Sequence, residues 1–404
     1  YKNILWGQKD NFLDVPTDCP QRDERLGWTG DAQAFILAAC YNFNVKKFFE
    51  KWLNDVAVCQ RSNGAIPRLV PDRFCDPVPS AGWGDAATIC PWVLYEFYGD
   101  KELLEKHYPM MKKWVDYIRS ASGADGLWQG GSVFGDWLGL DAPEGSYMGS
   151  TRQDFISAAF YAYSTDLLIR AGEVLKKDVS EYIELYNKTV QNFRKVFPEY
   201  TTQTEYALAI HFGLAENPAA ASDRLAELVK KCGHLQTGFI GTPYLLHALS
   251  QYGHADVAWE LLLRCEYPSW LYSVEKGATT VWEHWDGIRE NGDFWDKNMN
   301  SFNHYAYGAV ADWMYSVAGG IKPLLPGFKE VLIAPHPTKN LDAFAVSLET
   351  AYGTVSSSWE KQGEFWRYEI SVPVPAKIII GDTEYARQAG KYILQKIKRP
   401  NLYV

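Results

Sequence analysis

Glu24 lies in a run dense in groups that can move protons. Asp14-Val-Pro-Thr-Asp-Cys-Pro-Gln-Arg-Asp-Glu-Arg-Leu-Gly-Trp-Thr-Gly-Asp31 holds five carboxylates, two arginines, a tryptophan and two glycines in eighteen residues. Hydrolysis of a glycosidic bond needs two carboxyl groups in different protonation states. One protonates the leaving oxygen, and the other stays ionised to activate water or to attack. Glu24, between Asp23 and Arg25 and close to Trp28, is one candidate, because neighbouring carboxylates push its pKa up. The second is Glu283 in Gly277-Ala-Thr-Thr-Val-Trp-Glu-His-Trp285, a stretch that reads as extended and sets an acid between Trp282 and Trp285. Each has a plainer reading as well: a solvated loop charge for Glu24, a loop-capping carboxylate for Glu283.

The aromatic content by itself does not decide between core packing and sugar stacking, but position helps. Sixteen tryptophans and 25 tyrosines help raise the aromatic share of the 404 residues to 15%. Indole rings stack on the C–H faces of sugars as well as packing cores. Several stand beside acids or glycines: Trp28, Trp83 in Gly82-Trp-Gly-Asp85, and Trp137 in Gly135-Asp-Trp137. The net charge of -9, without a Lys/Arg-rich run, counts against nucleic acid. No apolar stretch approaches the roughly 20 residues that cross a bilayer. Seven scattered cysteines with no CxxC pair argue against a disulfide framework and a zinc site. His284 and His304 are too isolated for a metal set, so neither metal nor cofactor is expected. His304, in Ser301-Phe-Asn-His304, reads either as a hydrogen-bond partner for a substrate hydroxyl or as a satisfied core histidine. The chain opens at Tyr1 with no Met and no signal peptide. That leaves open a fragment or a processed form, and a cytoplasmic or a periplasmic location.

These residues must be positioned by a largely helical frame. From 31 to 317 apolar residues recur at helical spacing, with breakers between segments. Segments apolar on nearly all sides (Asp31–Tyr41, Asp85–Tyr98, Gln153–Arg170, Thr204–Phe212, Thr242–Tyr252, Asn303–Val317) alternate with amphipathic ones (Val45–Gln60, Lys101–Ser120, Asp178–Val196, Ala221–Cys232, Ala255–Cys265). A helix apolar all round is buried, and one with a charged face lies outside. The alternation predicts an (α/α)6 toroid, a double ring of helices in a mainly α fold. Only Asn3–Asn11 is available for the sixth outer helix. Inner helices of such a ring run parallel, so their polar openings gather at one mouth. After Gly319-Gly320 the period changes to two, as in Phe344-Ala-Val-Ser-Leu348 and Trp366-Arg-Tyr-Glu-Ile370, which predicts a small antiparallel β-sandwich. The domains are then 1–320 and 321–404.

The Asp14–Asp31 run closely resembles the signature of bacterial α-L-rhamnosidases, glycoside hydrolase family 78. Gly277–Trp285, Phe134-Gly-Asp-Trp137, Asn303-His-Tyr-Ala-Tyr-Gly308 and Pro323-Leu-Leu-Pro-Gly-Phe328 support the likeness, which spans nearly the whole chain. The resemblance implies a six-hairpin catalytic domain with a C-terminal β-sandwich, and an inverting, exo-acting hydrolysis of terminal α-L-rhamnose from glycans or plant glycosides. It implies Glu24 as general acid and Glu283 as the base that activates water. Asp18, Arg22, Trp28 and Asp31 match positions lining the rhamnose pocket, as do Trp83, Trp137 and His304; Asp136, Trp282 and Trp285 are expected beside them. Inversion calls for carboxyl groups about 6.5–9.5 Å apart, with room for a water. Family members carry β-domains ahead of the ring that do not occur in this sequence. Two alternatives stay open: a related (α/α)6 exo-glycosidase for another sugar, and a catalytically weak fragment that only binds carbohydrate. Oligomeric state, a homo-oligomer included, is left open.

Overall fold

The computed structural model describes residues 1–75, 78–296 and 299–397. The chain divides into two compact units, one of Tyr1–Val93 with Lys101–Val310, the other of Leu94–Asp100 with the chain from Ala311 on. Helices run in the order α1 (Lys2–Asn11), α2 (Thr29–Asn42), α3 (Lys46–Cys59), α4 (Ala86–Tyr98), α5 (Lys101–Ala121), α6 (Gln153–Val174), α7 (Ser180–Val196), α8 (Gln203–His211), α9 (Pro218–Cys232), α10 (Thr242–Gln251), α11 (Ala255–Leu263) and α12 (Trp270–Glu275).

The odd-numbered helices from α3 through α11 each bury one apolar face, whereas α1 buries Ile4 with Gly7, Gln8 and Asn11. In α3 the buried residues are Phe49, Trp52, Leu53 and Val56, a spacing that keeps them on one face. The even-numbered helices through α10 are buried much more fully. In α6 fifteen of 22 residues are buried, and in α2 small alanines alternate with Phe35 and Ile36 so that neighbours on every side can approach. Together with the last inner segment these make the six helical hairpins of an (α/α)6 fold, with α1 as the outer helix of the first.

The last inner segment departs from the expected single helix over Asn303–Val317. It begins as a 3₁₀ turn at Ala306–Ala309, makes one α turn (α13, Val310–Trp313) and ends as a π turn at Met314–Ala318. The late start has a physical cause. The His304 backbone N–H donates to Val281 O at 2.8 Å, so residues 303–304 are paired as extended chain and cannot enter the helix. Gly308 lies where this segment meets the first hairpin. A Cβ there would come within 3.0 Å of Ile4 Cγ2 and 3.1 Å of Phe35 Cε2.

The second unit contains β1 (Ile321–Leu325), β2 (Glu330–Ile333), β3 (Ala343–Thr350), β4 (Gly353–Gln362), β5 (Phe365–Val372), β6 (Ala376–Ile380), β7 (Thr383–Arg387) and β8 (Gly390–Ile397). They form two four-stranded sheets, β1-β2-β6-β7 and β3-β4-β5-β8. Alternation along β4 buries Val355, Ser357 and Trp359, with partners Tyr368 and Ile370 buried on β5. Pairing is antiparallel except for β2 with β6. That pair is parallel because the chain leaves β2, builds β3 to β5 in the other sheet, and re-enters in the direction it left; only such a long crossover allows parallel neighbours. Trp359 is 1% exposed and its Nε1–H donates to Ala318 O at 2.9 Å. Replacing Trp359 with Ala is expected to cost about 3–5 kcal/mol, read as a shift of the chemical-denaturation midpoint of the second unit.

Candidate active site

The acid-rich loop before α2 is folded by its own backbone. Asp18 N–H donates to Leu26 O (3.0 Å), and Leu26 N–H returns to Asp18 Oδ1 (2.9 Å), which doubles the loop back on itself. Its far end is fixed to residues 68–70: Thr29 N–H donates to Arg68 O (2.9 Å) and Val70 N–H to Gly27 O (2.8 Å). Any Cβ at Gly27 would sit 2.1 Å from Val70 O, so only glycine fits. The turn this creates projects Arg22 and Glu24. Gly277–Trp285 forms a loop rather than the extended strand its composition suggests. Two backbone bonds set it against residues 301–304, Glu283 N–H to Ser301 O and His304 N–H to Val281 O, both 2.8 Å. Gln21 Nε2 reaches Ser301 Oγ at 2.9 Å and joins the two loops.

Where they meet, the Arg22 guanidinium binds three carboxylates. Nη1 donates to Glu283 Oε2 at 2.6 Å and Nη2 lies 3.3 Å from Glu283 Oε1, a two-pronged grip. Nη2 also reaches Asp18 Oδ2 (3.1 Å) and Glu24 Oε2 (2.9 Å). The nearest oxygens of Glu24 and Glu283 are therefore no farther apart than the 2.9 Å and 3.3 Å contacts to Nη2 laid end to end, which is short of the separation of about 6.5–9.5 Å expected of an inverting pair. Glu24 Oε1 accepts the indole N–H of Trp28 at 2.7 Å. Its side chain is 33% exposed, whereas that of Glu283 is 3% exposed.

Burial sets the proton affinities. It raises Glu283 to about 7, against the pull of Arg22 and with a smaller push from Asp18 and Glu24. Burial, then the charge of Asp18, raises Glu24 above the usual carboxylate range, opposed by Arg22 and the Trp28 N–H. Asp31 rises well above its usual value for want of solvent and through Asp18 and Glu283. For Arg22, burial works against the charge, but Glu283 and its neighbours more than restore it. Burial lowers His304 to about 4, so its ring is neutral at pH 7. Its Nε2 lies 3.2 Å from Asp31 Oδ1 and 3.9 Å from Glu283 Oε1. The first approach lacks hydrogen-bond geometry: Asp31 Oδ1 has no hydrogen-bond partner, nor has His304 Nδ1 or Arg22 Nε. His304 is thus not a satisfied core histidine. These buried polar atoms face a cavity of about 210 Å³, and buried donors and acceptors left single call for a partner.

The cavity gathers Asp18, Arg22, Glu24, Asp31, Glu283 and His304 on its polar side, and Trp28, Trp83, Phe134, Trp137, Phe239 and Met299 around the rest. Trp28, Asp31, Trp83, Phe239 and His304 lie at or just before the starts of inner segments, and the rest lie on the loops that lead to them. Trp83 is held by its neighbours: Gly82 N–H donates to Asp85 Oδ2 (2.7 Å), and Gln33 Nε2 donates to Gly82 O (2.8 Å). Phe134 links the aromatic wall, with ring centroids 5.6 Å from Trp28, 4.8 Å from Trp83 and 5.8 Å from Trp137.

Three expected pocket residues lie outside the lining. Asp136 is 1% exposed and turned into the protein, where its carboxylate accepts from Thr204, Gly238, Ile240 and Gly241. Trp282 packs edge-on to Phe302 (5.2 Å), and Trp285 stacks on Tyr307 (4.2 Å). Glu283 lines the cavity while the indoles on either side of it turn into this packing. Phe239 and Met299 were not singled out from sequence. A lone Phe or Met carries no chemical signal that tells a site from a core.

Residues 1–318 match the family model for the bacterial alpha-L-rhamnosidase 6 hairpin glycosidase domain. This chain belongs to the bacterial α-L-rhamnosidase family. Residues 320–391 match the model for that family's C-terminal domain. An α-L-rhamnosidase of Formosa agariphila is 43% identical over 383 residues, 92% of this chain and 41% of that protein. Two solved relatives superpose closely. One is a Streptomyces avermitilis α-L-rhamnosidase complexed with L-rhamnose, at TM-score 0.92, 35% identity, 98% of this chain and 40% of that one. The other is an α-L-rhamnosidase from Aspergillus terreus, at TM-score 0.94, 34% identity, 98% of this chain and 49% of that one. The chain thus spans about two fifths of the length of the curated rhamnosidases it matches.

Gly30 lets the Trp83 indole lie across the first turn of α2: a Cβ there would come within 2.5 Å of Trp83 Nε1. Gly30→Ala is expected to displace that ring from the cavity wall, read as a shift of the Trp83 indole N–H resonance, assigned by its loss in Trp83→Phe; an unmoved resonance would show that the added Cβ is accommodated elsewhere.

Proposed function

We propose that this chain carries the catalytic machinery of an inverting, exo-acting α-L-rhamnosidase, with a helical catalytic domain at 1–320 and a β-sandwich domain at 321–404. The observation that carries the reading is Arg22 joining Glu24 to Glu283 at one cavity. Two acids in different surroundings, one half-open and one buried, are what a two-carboxylate hydrolysis needs. The cavity, about 210 Å³, falls below the roughly 300 Å³ at which sites for larger ligands begin. It has room for one sugar ring, which supports removal of a terminal residue. The apolar patch of Phe134, Phe239 and Met299 suits the methyl group by which a 6-deoxyhexose differs from a hexose. The rhamnose-bound relative from Streptomyces avermitilis supports the same sugar.

In this mechanism Glu24 is the general acid and Glu283 the general base. Glu283 takes a proton from a water. The water oxygen bonds to the anomeric carbon as the bond to the leaving oxygen breaks on the opposite face. Glu24 gives its proton to that oxygen, and the freed sugar has the inverted configuration. Burial raises Glu283 to about 7 even against Arg22, which alone would favour the opposite assignment. The surroundings argue otherwise. Both Glu283 oxygens are on a guanidinium, which pulls its proton affinity down, while Glu24 keeps solvent that an entering glycoside would strip away, raising its pKa further. Neutral His304 and the Asp31 carboxyl, whose proton affinity burial raises, are suited to the sugar hydroxyls.

Glu24→Gln and Glu283→Gln should each lower hydrolysis of unactivated rhamnosides by about 10²–10⁴-fold with the fold intact. A leaving group that departs without a proton separates the roles. The Glu24 variant should recover much of its rate on a dinitrophenyl rhamnoside, and the Glu283 variant should not; the reverse pattern would exchange the two. Proton NMR of the first-formed product should show the β anomer, and initial α-L-rhamnose would reject inversion. Turnover of other aryl glycosides at equal rates would reject rhamnose as the preferred sugar.

A further inference from the structure

Asp136 is a buried carboxylate that the proposed mechanism does not use. Its Oδ2 accepts from Thr204 Oγ1 (2.5 Å) and Gly238 N–H (2.9 Å), and its Oδ1 from Ile240 N–H (2.8 Å) and Gly241 N–H (3.2 Å). Four donors surround it, an arrangement that favours the ionised acid and works against the burial that raises it to about 6. Ile240 and Gly241 lead into α10, so the carboxylate also sits at a helix N-terminus, where negative charge is favoured.

The placement of these bonds matters more than their number. The amides of Gly238 and Ile240 bracket Phe239, whose ring lines the cavity and packs 5.1 Å from the His304 ring. On its own strand of chain, Asp136 directly precedes Trp137, which lines the same cavity. One carboxylate therefore ties the segment carrying Phe134 and Trp137 to the segment carrying Phe239. The two backbones are as close as they can come: a Cβ at Gly238 would lie 2.2 Å from Trp137 O. They keep a second link, Phe239 N–H to Trp137 O at 2.9 Å and Leu140 N–H to Gln236 O at 2.9 Å, that does not involve the carboxylate.

We propose that Asp136 is a positioning residue: it sets the relation between Trp137 and Phe239, and through them the fit of the cavity to its sugar, without touching the sugar. The inference rests on the rhamnosidase reading for its substrate, but not for its geometry. Asp136→Asn keeps the shape while turning one acceptor into a donor that faces the Gly238 N–H. The backbone link should hold the fold together while the wall shifts.

The test has three readouts. KM for p-nitrophenyl α-L-rhamnoside and the calorimetric Kd for L-rhamnose should rise together by about tenfold, the loss of one buried charged acceptor, with kcat nearly unchanged. A purely structural role would instead lower kcat through a smaller active fraction and leave KM and Kd as in the wild type, and that result overturns the proposal. In protein labelled with 5-fluorotryptophan, the ¹⁹F resonance of Trp137, identified by its loss in Trp137→Phe, should shift in Asp136→Asn; an unmoved resonance overturns it too. Thr204→Val removes one donor and leaves the acid. It should move all three readouts the same way by less, and it carries the test if Asp136→Asn does not fold. A wild-type chain that neither cleaves nor binds rhamnose would sink the functional reading, while the ¹⁹F resonance would still decide the role of Asp136.

Discussion

One guanidinium holds the site together. Arg22 contacts Asp18, Glu24 and Glu283, and without it the negative charges at one end of the helical ring would face each other across a poorly solvated space. Breaking a buried ion pair by removing one partner is strongly destabilising, because the remaining charge is uncompensated. The fold is arranged around keeping that cluster paired. The loop from 18 to 26 is cross-linked by Asp18 and Leu26, so Arg22 is presented at a fixed height. The 281–304 pairing presents Glu283 to it from the far end of the chain. Ion pairing in turn holds down the proton affinity of an acid that burial raises.

The aromatic wall obeys a related constraint. Indole and phenyl rings hold a sugar only if they are rigid, and here they are fixed by buried carboxylates that never reach the cavity. Asp85 takes the Gly82 amide, the Trp114 indole and the Ser164 hydroxyl, at 2.7, 3.0 and 2.6 Å, and so steadies the turn that carries Trp83. Asp136 does the same for Trp137 and Phe239. In both cases the cost of burying an anion is offset by a full set of donors. Glycines sit where side chains would block the approach, at Gly30 against Trp83 and at Gly238 against Trp137.

The periodic features were legible in the residues. Alternating fully apolar and one-faced segments gave the hairpins, because a helix's surroundings are written in which of its faces are apolar. Glu24 stood out through the density of charge around it, and Glu283 through two flanking tryptophans. The same local reasoning misplaced Trp282 and Trp285, since neighbours along a loop need not send their side chains the same way. It also made Asp136 a pocket neighbour, because an acid next to a tryptophan looks alike whether it faces a ligand or three backbone amides. β1, β7 and β8 were missed. Pro323 interrupts β1, and β7 and β8 are too exposed to show a buried face.

The residues by themselves determined what each segment is: helix or strand, buried or one-faced, charged or aromatic, with an acid-rich run ahead of the first inner helix. Those are properties of short windows, fixed by side-chain chemistry and backbone period. Only the tertiary structure decided which groups meet. The contact of Arg22 with Glu283 spans 261 positions, the parallel pairing of β2 with β6 skips a whole sheet, and the four donors around Asp136 come from two distant segments. No local pattern encodes a hydrogen bond between remote loops, because its energy depends on a geometry that exists only once the ring has closed.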